Sequence, residues 1–231
     1  MKKFFILILI TFSFGNCYSQ TIGEAITVDW EKTNNDAIIE YSKKIENDPN
    51  DVNAYVNRGF AKVQIEDYKG AMEDFNKAIK IDPNYDYAYE KRASLKEELY
   101  DYRGAILDYS KLIVINANDA DAYYNRGRMN YLIKNSALAI SDFTKAIELS
   151  PEYENAYRER AEVKLSLKDY KGAVSDYNKS IELYSEDGDI YKKRGIAKLY
   201  LKQNNDACID FSIAGELGSE EAYELIKKYC K

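Results

Sequence analysis

The amino-acid sequence predicts an all-α protein, a solenoid of antiparallel helix hairpins. Three observations carry that prediction. From residue 51 to residue 220 the chain repeats itself every 34 residues without a gap. Within each copy, small and aromatic residues recur at i, i+4 and i+7, the spacing of one buried helix face. Across 231 residues there are only three Pro and eleven Gly, so few breakers interrupt a chain rich in Ala, Leu, Lys and Glu.

Taken from the start, residues 1–19 read as a secretory signal. Lys2 and Lys3 form a charged beginning, and Phe4 to Phe14 form an apolar run too short to span a bilayer as a mature helix. Small Ser19 precedes Gln20, and cleavage is expected between them. The alternative is a lipoprotein acylated at Cys17, although Asn16 stands where that signal takes a small residue. Membrane contact is expected only in that case. Removing residues 1–19 leaves 31 basic and 39 acidic side chains, a net charge of −8. Residues 20–33 do not carry the repeat pattern. They are expected to form an irregular lead, with Trp30 packing over the open end of the array. Residues 34–51 match the second half of a repeat, through Ala37, Tyr41 and Pro49.

Residues 52–221 hold five full copies. Counting each copy from the residue equivalent to Val52, position four is Tyr55, Tyr89, Tyr123, Tyr157 and Tyr191. Position eight is Gly59, Ala93, Gly127, Ala161 and Gly195, and position twenty is Ala71, Ala105, Ala139, Ala173 and Ala207. Position twenty-four is always aromatic: Phe75, Tyr109, Phe143, Tyr177 and Phe211. Small residues at eight and twenty let two helix axes approach, and the aromatics fill the wedge around them. Asp67, Asp101, Asn135 and Asp169 are placed as N-caps of the second helices, and Pro83 and Pro151 lie where such helices stop. Position twenty-seven is small except for Leu112, and Ser136 and Asn204 replace the Tyr of position seventeen, so irregular packing is expected in the third and fifth copies. Residues 222–231 are expected to form a capping helix, which a solenoid needs because each repeat buries its faces only against neighbours. Cys208 and Cys230 remain after the signal leaves. They form a candidate disulfide pinning that cap, the alternative being two buried thiols.

These copies resemble the tetratricopeptide repeat, and the signal-like start makes the chain similar to exported bacterial members of that family. The resemblance implies a right-handed superhelix whose first helices line a concave groove, where ligands lie as extended peptides or helices. It places Asn57, Phe60, Lys91, Tyr124, Asn125, Arg128, Tyr131, Arg158, Lys192 and Tyr200 on that face. Asn57 and Asn125 stand where the family often holds a peptide backbone. The family's clamp for C-terminal carboxylates needs Lys at position five and Asn at nine. Lys192 meets Ile196 instead, and no copy has the pair.

Position seven is Arg in all five copies (Arg58, Arg92, Arg126, Arg160, Arg194), and position twenty-three is Asp in all five (Asp74, Asp108, Asp142, Asp176, Asp210). The arginines are either a ladder for an acidic ligand or partners of the aspartates. Their recurrence in lockstep favours pairing.

The remaining features bear on function. There is no His, which removes the commonest general base and metal ligand, and three Cys cannot build a four-thiolate zinc site. No nucleophile elbow or phosphate-cradling loop occurs. A formal charge of −6 argues against nucleic acid. The sequence therefore points to a non-enzymatic scaffold of the cell envelope, periplasmic or extracellular. It would take protein or peptide in its groove, without catalytic residues, cofactor or metal, and with a monomer as the default state. The alternative is a carbohydrate-binding module using the groove tyrosines as sugar platforms.

Overall fold

The computed structural model describes residues 30–184 and 186–230. The expected cleavage site, Cys17 and the side chain of Trp30 lie outside the described residues. Among those described there are twelve α-helices and no strand. A leading helix α1 (Trp30–Asn47) is followed by five hairpins: α2 (Val52–Gln64) with α3 (Tyr68–Ile81), α4 (Asp86–Glu98) with α5 (Tyr102–Ile115), α6 (Ala120–Leu132) with α7 (Ser136–Leu149), α8 (Glu154–Ser166) with α9 (Tyr170–Leu183), and α10 (Gly188–Tyr200) with α11 (Asn204–Glu216). A final helix, α12 (Glu220–Tyr229), closes the array.

Two boundaries differ from the sequence expectation. The helix at the start begins at Trp30, inside the segment expected to be irregular. No Gly or Pro falls between Trp30 and Asn47, and Glu31 in the first turn suits the positive end of a helix. The closing helix runs Glu220–Tyr229 rather than over 222–231. Ser219 takes the N-cap position, and Glu220 and Glu221 favour an earlier start. Its buried Ala222, followed by Tyr223, repeats the Ala-Tyr pair of the first helices, as at Ala54 and Tyr55. Counting on from Tyr223, Lys227 falls where the earlier copies have Gly or Ala. A long cation there does not offer the small site that receives a ring in the hairpins before it.

Each second helix is started by its predicted cap where that residue is Asp. The Asp67, Asp101 and Asp169 carboxylates accept from the amides of Gly70, Gly104 and Gly172 at 3.0 Å each. Asn135 occupies the same position without a side-chain cap bond. The turn inside every hairpin passes through one left-handed residue: Glu66, Tyr100, Lys134, Lys168 or Lys202, with φ between 61° and 68°.

The core is a column of position-twenty alanines and position-twenty-four rings, all buried. It alternates with a two-hairpin period of 68 residues. The first, third and fifth hairpins pair Gly with Phe, and the second and fourth pair Ala with Tyr. The glycines are required: a Cβ on Gly59, Gly127 or Gly195 would come within 2.7, 2.9 or 2.6 Å of the ring of Phe75, Phe143 or Phe211.

The repeated charges form a ladder. Each buried Asp accepts a two-pronged guanidinium from the Arg of its own hairpin, for example Arg92 Nε and Nη2 on Asp108 at 2.9 and 2.5 Å. The third nitrogen reaches one hairpin back: Nη1 of Arg58, Arg92, Arg126, Arg160 and Arg194 donates to Ser42, Asn76, Ser110, Thr144 and Asn178. A second donor loads the same aspartates at 2.7–3.0 Å, namely Lys62, Lys96, Asn130, Lys164 and Lys198. Each guanidinium also stacks 5.3–5.7 Å from the ring of the position-four Tyr. With every arginine bound on three sides, the ladder sets register between hairpins and leaves no row of arginines for an acidic ligand.

Cys208 of α11 and Cys230, which follows α12, form a disulfide. It holds the cap together with a bond from the Tyr223 hydroxyl to the Gly215 carbonyl at 3.1 Å.

Candidate functional site

Helix α2 touches α4, and α6 touches α8, so the first helices lie along the inside of the curve. All ten residues placed on the groove by the sequence lie on these helices: Asn57 and Phe60 on α2, Lys91 on α4, Tyr124, Asn125, Arg128 and Tyr131 on α6, Arg158 on α8, Lys192 and Tyr200 on α10.

Their surroundings differ. Asn57 and Asn125 have side-chain amides without a hydrogen-bond partner among the described residues, and both are half-buried. Phe60 is 47% exposed, with the Lys91 ammonium 6.0 Å from its ring centre. Tyr124 packs its ring against Phe143 and Tyr153, with centroids 5.9 and 5.0 Å away. Burial raises its pKa above the ordinary phenol value. Tyr131 is packed against Ala139, Phe143 and Val163. Tyr200 stacks face to face on Tyr170 at 4.4 Å. Tyr124 and Tyr131 are thus partly covered by their neighbours, whereas Tyr200 stacks one face on Tyr170 and is 63% exposed.

The cations of the groove are paired across it. Arg128 bonds Glu97 at 2.9 Å, Arg158 bonds Asp187 at 3.3 Å, and Lys192 bonds Asp189 at 2.7 Å and Glu221 of the cap at 2.8 Å. Lys193 bonds Asp189 at 2.7 Å and also pairs with Glu162. Burial works against the Lys193 charge, but its two carboxylate partners outweigh it and hold the pKa above the usual lysine value. Glu159 has no ion-pair partner among the described residues. Burial, reinforced by the neighbouring Glu162 charge, raises its pKa above the ordinary carboxylate range. Between α4 and α6 a cavity of about 320 Å³ opens beneath Asn125, with the Tyr109 ring in its lining. Burial pushes the Tyr109 pKa up to about 12.

The tetratricopeptide repeat profile matches residues 52–85, 120–153 and 155–187, three of the five copies. Solved structures of tetratricopeptide proteins superpose on the array. One is YrrB, described as a TPR protein with an unusual peptide-binding site: 18% identity, TM-score 0.71, covering 81% of this chain and 97% of that one. The chain is a tetratricopeptide repeat protein. The tetratricopeptide array also resembles MamA, at 26% identity and TM-score 0.68, with 78% of this chain and 96% of that chain covered. The C-terminal part of a tetratricopeptide protein from Cytophaga hutchinsonii matches at 20% identity and TM-score 0.74, over 86% and 84% of the two chains. A search of the curated proteins returns no match.

Reading the sequence of this tetratricopeptide protein missed two sets of groove residues. One is the acidic set, Glu90, Asp119, Asp121, Glu159, Glu162 and Asp189, of which Asp189 and Glu162 pair with the cations above. The other is Lys193. The signal was available, since positions two, five, six and nine change charge from copy to copy while the ladder positions do not. A groove read copy by copy hides pairs that run between copies.

Proposed function

We propose that this tetratricopeptide array is a non-enzymatic scaffold of the cell envelope that holds a protein or peptide partner along its first helices. The observation that carries the reading is the contrast between the two sets of polar groups. The Arg–Asp ladder is satisfied internally, whereas Asn57 and Asn125 present unpaired amides on the inner face beside exposed Phe60 and half-buried Tyr124. Amides that both donate and accept suit a peptide backbone, and rigid rings beside them supply contact area at low entropic cost. YrrB, described as having an unusual peptide-binding site, shares the fold and supports the same reading. The Cys208–Cys230 disulfide supports an oxidising location, in keeping with the signal-like residues 1–19.

The experiment is affinity capture from the native cell with the disulfide-bonded protein, followed by titration of the captured partner. Asn125→Ala with Arg128→Ala is expected to weaken binding at least about tenfold, the loss of roughly 1.4 kcal/mol of interface contacts. A partner whose affinity is unchanged by this pair overturns the groove assignment. Loss on Tyr124→Ala and Tyr131→Ala of binding to a glycan would move the reading to carbohydrate.

A further inference from the structure

The 68-residue super-period allows one part of the groove to be compared with another in the same chain. Position five of one copy, with positions two and six of the next, surrounds the gap between consecutive first helices. Between α2 and α4 this gap holds buried Val56 and the Tyr85–Tyr87 edge-to-face pair. Between α6 and α8 it holds Tyr124 packed on Tyr153. Between α8 and α10 it holds two cations of the protein itself. Arg158 Nη1 lies 3.3 Å from Asp187 Oδ2, and Lys193 Nζ lies 2.7 Å from Asp189 Oδ2.

The gap between α4 and α6 is the copy of that last one, 68 residues earlier. Its carboxylates are retained: Asp119 stands for Asp187 and Asp121 for Asp189. Its cations are not. Glu90 replaces Arg158 and Asn125 replaces Lys193. What remains is the cavity of about 320 Å³, lined by Asp86, Glu90, Asp119, Asp121 and Asn125 with no Lys or Arg in its lining. The leading aspartate of each pair caps its helix through Oδ1, Asp187 on the amide two residues on and Asp119 on the amide three residues on. Asp187 Oδ1 accepts from the Asp189 amide at 2.9 Å and offers Oδ2 to Arg158. Asp119 Oδ1 accepts from the Ala122 amide at 2.9 Å, and its Oδ2 has no partner among the described residues. Asp121 gives one oxygen to the Tyr153 hydroxyl at 2.5 Å. Lys91 neighbours Glu90 at 2.8 Å, but it sits over the Tyr87 ring and beside Phe60, on the side of α4 that faces α2.

We propose that the cavity between α4 and α6 is a subsite for a cationic side chain, arginine or lysine, of a bound peptide, which takes the place that Arg158 and Lys193 occupy two hairpins on. The subsite rests on the groove reading above and names the chemistry of its ligand. Four carboxylates around the space, of which Glu90 alone is ion-paired, to Lys91, lower the potential there, and a guanidinium can donate to them as Arg158 Nη1 donates to Asp187. The Asn125 amide, beside the cavity, is placed to hold the peptide backbone that carries the side chain.

The probe is a short peptide, acetyl-Gly-Ser-Arg-Ser-Gly-amide, titrated into the isotope-labelled, disulfide-bonded protein and followed by amide chemical shifts. Its control replaces Arg by citrulline, the same shape without the charge. Saturable shifts centred on Ser94, Asp121 and Asn125 are expected, at least about tenfold weaker for citrulline. Glu90→Arg, which copies Arg158 into the cavity, is expected to abolish the response, and Glu90→Gln to weaken it several-fold, with melting curves showing both variants folded. Equal binding of the citrulline peptide, an unsaturable response, or a response unchanged in both variants overturns the subsite. Tighter binding of spermidine than of the peptide overturns a peptide as the source of the cation. A captured partner that protects the inner-face amides yet ignores Glu90 variants sinks the subsite alone. An arginine peptide that saturates the cavity while the captured partner binds elsewhere sinks the groove reading alone.

Discussion

Replacing Lys134 by glycine is expected to stabilise this protein. Five exposed residues, one per hairpin, are held with φ between 61° and 68°, and none of them is glycine. The left-handed conformation costs a residue with a Cβ about 1–2 kcal/mol. Glycine removes that cost and returns about 0.5–1 kcal/mol through the greater freedom of its unfolded chain. The net gain is about 0.5–1 kcal/mol per turn. Lys134 is exposed and makes no side-chain bond, so nothing is lost against this gain. Its turn is closed by backbone bonds that glycine keeps, from the amides of Lys134 and Asn135 to the carbonyls of Tyr131 and Asn130 at 2.9 and 2.8 Å. Glu66, Tyr100, Lys168 and Lys202 sit in the same turn of separate hairpins, so the five changes should add to about 2.5–5 kcal/mol. Urea denaturation of single and combined variants measures this. Lys134→Ala, which keeps the Cβ, is the control and should stay within about 0.5 kcal/mol of the parent. A lower midpoint for Lys134→Gly, or equal gains for glycine and alanine, would refute the argument from backbone strain.

Three further outcomes follow from the structure. Asp108→Ala leaves Arg92 and Lys96 facing an empty buried position and is expected to cost about 3–5 kcal/mol; a loss below about 1 kcal/mol in the same denaturation assay would show the rung to be dispensable. Cys208→Ala opens a loop spanning 22 residues, worth about 3 kcal/mol in the chain-entropy account, and because Ala222 is the one buried residue of α12, hydrogen exchange should show loss of protection in that helix before any other. Glu159→Gln should raise the melting temperature at neutral pH and not in acid. A carboxyl whose folded pKa is raised gives stability that is fully present below its unfolded pKa and lost as pH rises through the folded one, so equal effects of Glu159→Gln across that window would contradict the raised value.

The register of the hairpins was legible because it is redundant. Tyr at four, Arg at seven, Ala at twenty and Asp at twenty-three recur in all five copies, and one gap-free alignment places every one of them. The second donor on each aspartate went unread although Lys62, Lys96, Lys164 and Lys198 share position eleven, with Asn130 in the odd copy. The helical start at Trp30 was not legible, because a helix without a repeat motif above it gives no periodic signal. The acidic cavity was harder still. It draws on Asp86, Glu90 and Asp119 from one copy and Asp121 and Asn125 from the next, and its meaning lies in the difference between Glu90 and Arg158 rather than in any residue alone. Repetition reveals what the copies share and conceals what one of them does differently.

The backward reach of the arginines gives the array a direction. Arg58 draws on Ser42 of α1, so the lone leading helix completes the first full hairpin rather than merely shielding it. Trimming from the two ends is therefore unequal. Losing the fifth hairpin leaves Arg160 with Asp176 and Thr144 intact, whereas losing the first takes Asn76 away from Arg92 and leaves a guanidinium reaching toward solvent. Shortened forms that keep the N-terminal end should outlast those of equal length that keep the C-terminal hairpins, and a growing chain can finish each rung as soon as its own hairpin closes.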